Sequence, residues 1–285
     1  MPITAKIIED SISHDGIRLT TFQLMYPRFI HSEVMTHRVF SRNASSSRAI
    51  PVKKMIQMVR EEPAMPIHWG KNQPGMQANE EIQHVGAAMD IWLRAARNAA
   101  NIAEELQQIG VHKQVANRVL EPFQHISVVL TATEFDNWFE LRAHPDAQPE
   151  IQALALEMAG VMAQSVPHEL DVGEWHLPYV TVDERNDQFF KNNPELLRQV
   201  SAARCCRVSY LKHDGSAASI SDDLALCEKL VGAKPLHASP FEHQATPDTI
   251  VPGNRMVMAH WRNPNLHGNF NGWIQYRKQI EHRFK

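Results

Sequence analysis

The sequence predicts an α/β chain in which a small antiparallel sheet packs against several helices. Three observations predict it. Short β-branched runs flank an Asp15-Gly16 turn signal, so Ile7-Ile8 and Ile17 to Phe22 read as a hairpin. His125 to Thr131 is a continuous apolar run of strand length. Helical patterns recur along most of the remaining chain. With 285 residues, 43% hydrophobic and 21% charged, the chain is long enough for a sizeable core and lies outside the disordered class.

Taken in order, Pro27 ends the second strand, and Phe29, Val34 and Met35 form a helical stripe leading to Thr36-His37-Arg38. Ser41 to Arg48 is too rich in backbone-competing side chains for a core helix and reads as a loop, supported by Pro51. Glu62 to Ala78, with three prolines and two glycines, reads as irregular surface. A long helix follows, with Asn79 as its cap. Its apolar stripe is Ile82, Val85, Met89, Trp92, Ile102, Leu106 and Ile109, and Gly110 is its stop. Val111 to Leu120 is a second helix ended by Pro122. After the buried strand, Thr133 caps a helix carrying Phe135, Trp138, Phe139 and Leu141, and Pro149 opens another that runs to about Met162. Pro167 to Asp187 reads as a linker with apolar islands. Pro194 to Tyr210, Ser221 to Val231 and a stretch near Gly272 to Ile280 complete the helices. The resulting division is a core over 1–166 that carries the His37-Arg38 to Arg48 segment, a linker over 167–193 and a C-terminal part over 194–285 with the His237 to His243 block.

Charge and cysteine usage narrow the function. Lys+Arg total 29 against 32 Asp+Glu, a net charge of −3, which excludes a strongly basic nucleic-acid coat and leaves room for a patch that grips one phosphate. No apolar run approaches the ~18 residues that span a membrane. The opening residues carry acids where a signal peptide needs an apolar stretch, and there are only three cysteines, so a cytoplasmic location is expected. His243, His260 and His267 make a conceivable metal trio. Without a tight His or Cys motif the expectation is no metal.

The segment Thr36 to Arg48 is the most informative. His37 and Arg38 end a helix. The loop beyond them gathers Ser41, Ser46 and Ser47, the Asn43 amide and the Arg42 and Arg48 guanidiniums, a donor set suited to a phosphate. A solvated serine loop with ordinary surface charges fits the same residues.

This segment resembles the flavin-dependent thymidylate synthases, which carry an Arg-His-Arg triplet followed by Ser, Asn, Ser and Arg at fixed spacings. His37, Arg38, Ser41, Asn43, Ser46 and Arg48 fall on that pattern, while Thr36 replaces the first Arg, Glu33 a usual Gln and Ala44 a usual Glu. Val115 to Pro122 is similar to the family's nucleotide-holding segment, with Arg118 as its Arg. Asn137 to Arg142, continued by Ala147 to Ile151, is similar to the family's Asn-Phe-x-x-Leu-Arg helix. Thr131 and Thr133 stand where the family often has a flavin-contacting Asn and Arg. Ala202 to Tyr210 and His237-Ala238-Ser239-Pro240-Phe241-Glu242-His243 resemble family segments that normally precede the triplet, so the motif order is permuted or partly duplicated.

The resemblance implies an FAD-dependent methyltransferase that methylates dUMP at C5, with NADPH as reductant and methylenetetrahydrofolate as carbon donor, built as a homotetramer with shared sites. It implies Arg142 as the catalytic residue. Glu33, Thr36, Ala44, Ser45, Ser46, Ser47, Arg48, Arg118 and Arg142 would line the nucleotide, and His37, Arg38, Asn43, Asn137, His237 and Ser239 the flavin. Cys205, Cys206 and Cys227 lie in no Pro-Cys-His loop and read as core-filling thiols, consistent with a flavin route that needs no enzyme nucleophile. Two alternatives stay open. One is transfer of a methyl or hydroxymethyl group to another pyrimidine deoxynucleotide such as dCMP, whose amino group Glu33 can accept. The other is a non-catalytic nucleotide-binding protein.

Overall fold

The computed structural model describes residues 3–208, 212, 216–253 and 258–283. The hairpin forms as the sequence predicts. Strand β1 (Thr4–Ser13) pairs antiparallel with β2 (Arg18–Pro27) across a tight turn in which Gly16 takes φ 78°, a left-handed conformation that costs a residue without Cβ nothing. A bulge between Ile7 and Glu9 shifts the β1 register. After a single 3-10 turn and the short helix α1 (His31–Val34), the segment read as a loop opens with an edge strand, β3 (Ser41–Ala44). Its backbone pairs with Thr131 to Val128, which the side-chain composition alone does not reveal.

Pro51 immediately precedes helix α2 (Val52–Glu61), which the sequence reading passed over. Helix α3 (Val85–Gln108) begins five residues after Asn79 would have started it, because residues 69–82 form a small hairpin instead, bridged at Gly70 and Glu81. The buried face of α3 also differs from the expected stripe. Ala96, Ala99, Ala100 and Ala103 pack on Val52, Met55, Ile56 and Val59 of α2, while Ile109 is 77% exposed. The small alanines allow the close helix approach that the larger apolar residues would block. Helix α4 (Lys113–Ala116) gives way to a 3-10 turn, Asn117–Phe123, which accommodates Pro122.

Strand β4 (His125–Ala132) sits between β2 and β3. Helix α5 (Asp136–Arg142) starts without the expected Thr133 cap, whose hydroxyl accepts the Asn271 N–H. Helix α6 (Pro149–Gln164) is capped by Gln148. The stretch 167–193 does more than connect. It supplies β5 (His168–Leu170), which pairs parallel to β1 and makes the sheet mixed, in the order β3-β4-β2-β1-β5. Helices α7 (Val182–Asn186), α8 (Gln188–Asn192), α9 (Pro194–Arg207) and α10 (Ile220–Val231) follow, and Ser209 and Tyr210 lie outside the described residues. Three short strands, β6 (Ala245–Pro247), β7 (Ile250–Val251) and β8 (His260–Trp261), precede β9 (Trp273–Gln275) and α11 (Tyr276–Arg283). Among the described residues no helix is long and apolar enough to cross a membrane.

The two faces of the sheet are covered by different chemistry. One carries Phe22, Leu24, Tyr26, Ile126, Val128 and Leu130 against Trp138, Ile151 and Leu154 of α5 and α6. On the other, a polar seam joins the sheet to the C-terminal half. Ser11 hydrogen-bonds to His176 (2.8 Å), whose second nitrogen meets Thr21 (2.7 Å). Thr21 meets Thr131 (2.7 Å), and Thr131 meets His243 (2.8 Å). These side chains are all buried, so each must find a partner inside the protein.

Candidate active site

The end of α1 and the end of α5 converge. Arg142, the last residue of α5, donates from Nε to His37 Nε2 (3.0 Å) and from Nη2 to Thr36 Oγ1 (3.3 Å). The Thr36 hydroxyl in turn donates to the Glu33 carbonyl (2.7 Å). His37 is buried between Phe40 and Trp138, with ring centroids 5.7 and 4.8 Å away. Burial first, then the Arg142 and Arg42 guanidiniums, hold its pKa below the usual imidazole range. The ring is therefore neutral, and Nε2 presents the lone pair that Arg142 needs. The outcome is an arginine whose fork is aimed by a buried, neutral histidine.

The serine loop divides its residues between structure and surface. Ser45 exchanges hydrogen bonds with Ser127, extending β3 by one pair. Ser47 is buried and donates to Glu121 (2.8 Å), while its carbonyl accepts from Asn117 (2.6 Å). Ala44, Ser46 and Arg48 are exposed, and the Ser46 hydroxyl accepts the Arg48 N–H (3.3 Å). Arg118 reaches the same place through Glu121 (2.9 Å). Glu121 binds Ser47, Arg118 and Arg28 at once, a hub whose only sequence signal is its i,i+3 spacing from Arg118. Arg42, grouped with the phosphate donors in the sequence, spends its guanidinium on the carbonyls of Val34, Met35 and His37. It caps the C-terminal end of α1, where unpaired carbonyls attract a cation.

Two clusters result. Glu33, Thr36, His37 and Arg142 lie together before β3, and Ser46, Arg48 and Arg118 lie beyond its far end, about 13 Å along the strand at ~3.3 Å per residue.

The displaced block returns to the same strand. The 3-10 turn Ser239–Glu242 packs against β3, anchored by the fully buried Phe241. Gln275 ties the two by donating to the Glu242 carbonyl (3.1 Å) and to Ser41 Oγ (3.3 Å). Ser239 is half-buried and His237 exposed, with its N–H on the Leu230 carbonyl (3.3 Å). The Asn43 amide donates to the Cys205 carbonyl (3.0 Å), joining β3 to α9, and Asn137 is exposed on α5. The conceivable metal trio is spent otherwise: His243 on Thr131, His267 on Asp248 (2.8 Å) and His260 on the Met258 carbonyl.

Cys205 and Cys227 are buried and Cys206 partly so. Burial pushes all three thiols up, Cys227 to about 12, which disfavours the thiolate a covalent mechanism requires.

A cavity of about 1400 Å³ opens beside Arg142, walled by the 69–82 hairpin and the turn between α5 and α6. Arg38 is exposed and has no ion-pair partner among the described residues. Asn137 and His237 are exposed as well, and a guanidinium, an amide and an imidazole are the donor types that the carbonyls and pyrophosphate of a flavin dinucleotide accept from.

The family model described as thymidylate synthase complementing protein matches residues 19–168, just over half the chain. The chain belongs to that family. The matched span holds both arginine clusters, and the Ser239–Glu242 turn lies outside it. A flavin-dependent thymidylate synthase of Thermosipho africanus (strain TCF52B) is 29% identical over 154 residues, 52% of this chain and 64% of the relative. One from Thermosipho melanesiensis (strain DSM 12029 / CIP 104789 / BI429) is 26% identical over the same shares. The chain thus spans about 64% of the length of the curated relatives it matches. Among solved structures, a UMP/dUMP methylase PolB from Streptomyces cacaoi, bound with 5-Br UMP, is similar at 19% identity and a TM-score of 0.48, over 57% of this chain and 89% of that one.

Proposed function

We propose that this member of the thymidylate synthase complementing protein family transfers a one-carbon unit reductively to C5 of a pyrimidine deoxynucleoside monophosphate, with dUMP as the family's acceptor. The carrying observation is the Arg142 guanidinium held against neutral His37 at the wall of the cavity. Aimed there, it stabilises negative charge at N3 and O2 of the ring as C5 becomes nucleophilic. Ser46 and Arg48, with Arg118, bind the 5′-phosphate. His37, Arg38, Asn43, Asn137 and Ser239 hold FAD, and His237 lines the flavin and folate face. When bound, FAD supplies the hydride, drawn from NADPH, and methylenetetrahydrofolate supplies the carbon. A tetramer with shared sites would let the base cluster of one copy face the phosphate cluster of another.

The test is incubation with FAD, NADPH, methylenetetrahydrofolate and either dUMP or dCMP, with the product identified by mass. Gain of one CH2 supports a methyl product and gain of CH2O a hydroxymethyl product. Colour separates the non-catalytic reading: a protein that stays colourless, takes up no FAD and yields no product is a nucleotide binder.

Arg48→Ala is expected to weaken nucleotide binding by about 1.5–3 kcal/mol, the range for hydrogen bonds to a charged group. Arg48→Lys restores only part, because the two-pronged contact is lost. Unchanged affinity in calorimetry removes the phosphate loop from this reading. Replacement of Cys205, Cys206 and Cys227 together by Ala is expected to leave turnover of the folded protein within a few-fold. Abolished turnover in a folded triple variant would revive a covalent mechanism.

A further inference from the structure

The cavity beside Arg142 holds a carboxylate with no obvious use in the protein. Glu33 lines it and is half-buried, yet its side chain has no ion-pair or hydrogen-bond partner among the described residues. Arg142 lines the same cavity and turns its fork to His37 and Thr36 instead. Thr36 accepts from Arg142 and donates to the Glu33 backbone carbonyl, so the guanidinium is tied to the stretch of backbone that carries Glu33. The other acids of the cavity differ. Glu150 is buried and accepts from the Ile67 N–H (2.7 Å) and the Gln148 amide, while Glu140 and Asp146 are exposed. Aromatic residues line the same cavity as Glu33. Phe29 and Trp92 meet edge to face with centroids 6.1 Å apart, and the Trp92 indole N–H is pinned to the Ala64 carbonyl (2.9 Å).

A half-buried carboxylate without a donor, in one cavity with aromatic surface and a guanidinium, suits a planar ring that presents N–H donors next to acceptors. We infer that Glu33 receives the exocyclic amine of an aminopyrimidine ring. This rests on the proposed nucleotide reading of the same cavity. Two reactants of that reading carry such a ring. Cytosine offers its 4-amino group to Glu33 and its O2 and N3 acceptors to Arg142. The pterin of a folate offers its 2-amino group together with the neighbouring N3–H. Uracil lacks the amine and would set its O4 against the carboxylate, an acceptor against an acceptor.

Calorimetric titration of the full-length protein with dCMP, dUMP and tetrahydrofolate, in wild type, Glu33→Gln and Glu33→Ala, tests this. Glu33→Gln keeps the shape of the side chain should the alanine variant fold poorly. Either variant is expected to weaken dCMP or tetrahydrofolate at least tenfold while dUMP is retained or tightened. A loss confined to dCMP assigns the amine to cytosine, and one confined to tetrahydrofolate assigns it to the pterin. A loss below tenfold for both ligands, or an equal loss for dUMP, overturns the inference. If dUMP binds wild type and is lost in Arg142→Ala while both Glu33 variants behave as wild type, the inference fails and the nucleotide reading stands. Wild-type protein that binds none of the three ligands sinks both.

Discussion

Arg142→Ala is expected to lower turnover of the pyrimidine nucleotide about 100- to 1000-fold, the effect of removing one preorganised donor from a site of developing charge, near 3 kcal/mol. The geometry makes the effect large. Both interacting nitrogens are already oriented by neutral acceptors, His37 Nε2 and Thr36 Oγ1, so no reorganisation is needed when charge develops on a ring placed against the guanidinium. Arg142→Lys should recover little, because an ammonium cannot hold His37, Thr36 and a ring edge through one planar fork. The cost to folding should be smaller, since Arg142 is only half-buried and forms no ion pair among the described residues. Steady-state kinetics beside a thermal melt separates the two. Turnover within tenfold of wild type in a folded variant would remove Arg142 from the chemistry.

The second large effect is acid sensitivity. His176 and His243 are buried in the polar seam, and burial holds His243 down to about 3 and His176 well below 6.5. In the unfolded chain both return to an ordinary value of about 6.5. Below that pH the unfolded state binds protons that the native state refuses, so stability falls as pH falls. While both stay neutral in the native state, each histidine contributes a slope of about 1.4 kcal/mol per pH unit, ~2.7 kcal/mol per unit together, beginning below roughly pH 5.5. The stability is fully present above pH 6.5. Denaturant titrations at stepped pH check this, and His243→Gln should flatten the slope by about half. A slope unchanged in that variant would mean that His243 charges in the native state.

Much of the scaffold was legible because it depends on short-range patterns. The Asp15-Gly16 turn, the apolar run of β4 and Pro149 at the head of α6 each encode their element within a few residues. The arginines at positions 48, 118 and 142 and the His37-Arg38 pair stood out for the same reason: they sit in compact motifs. What escaped was the destination of polar side chains. Ser45, Ser47 and Ser46 look alike in sequence, yet one extends a strand, one is buried on Glu121 and one stays at the surface. Arg42 and Arg48 look equally free, and the first is consumed by α1 carbonyls.

The sequence by itself determined the family of this chain, its α/β class and the residue types of two basic clusters, since motif spacing and hydrophobic period are local properties. Only the tertiary structure decided that Ser239–Glu242 returns to β3 from some 200 residues away, that β5 joins the sheet, and that Glu33 shares a cavity with Arg142. These depend on which distant surfaces bury one another. A buried hydroxyl, imidazole or guanidinium takes whatever partner that packing brings within about 3 Å, and no local pattern specifies that partner.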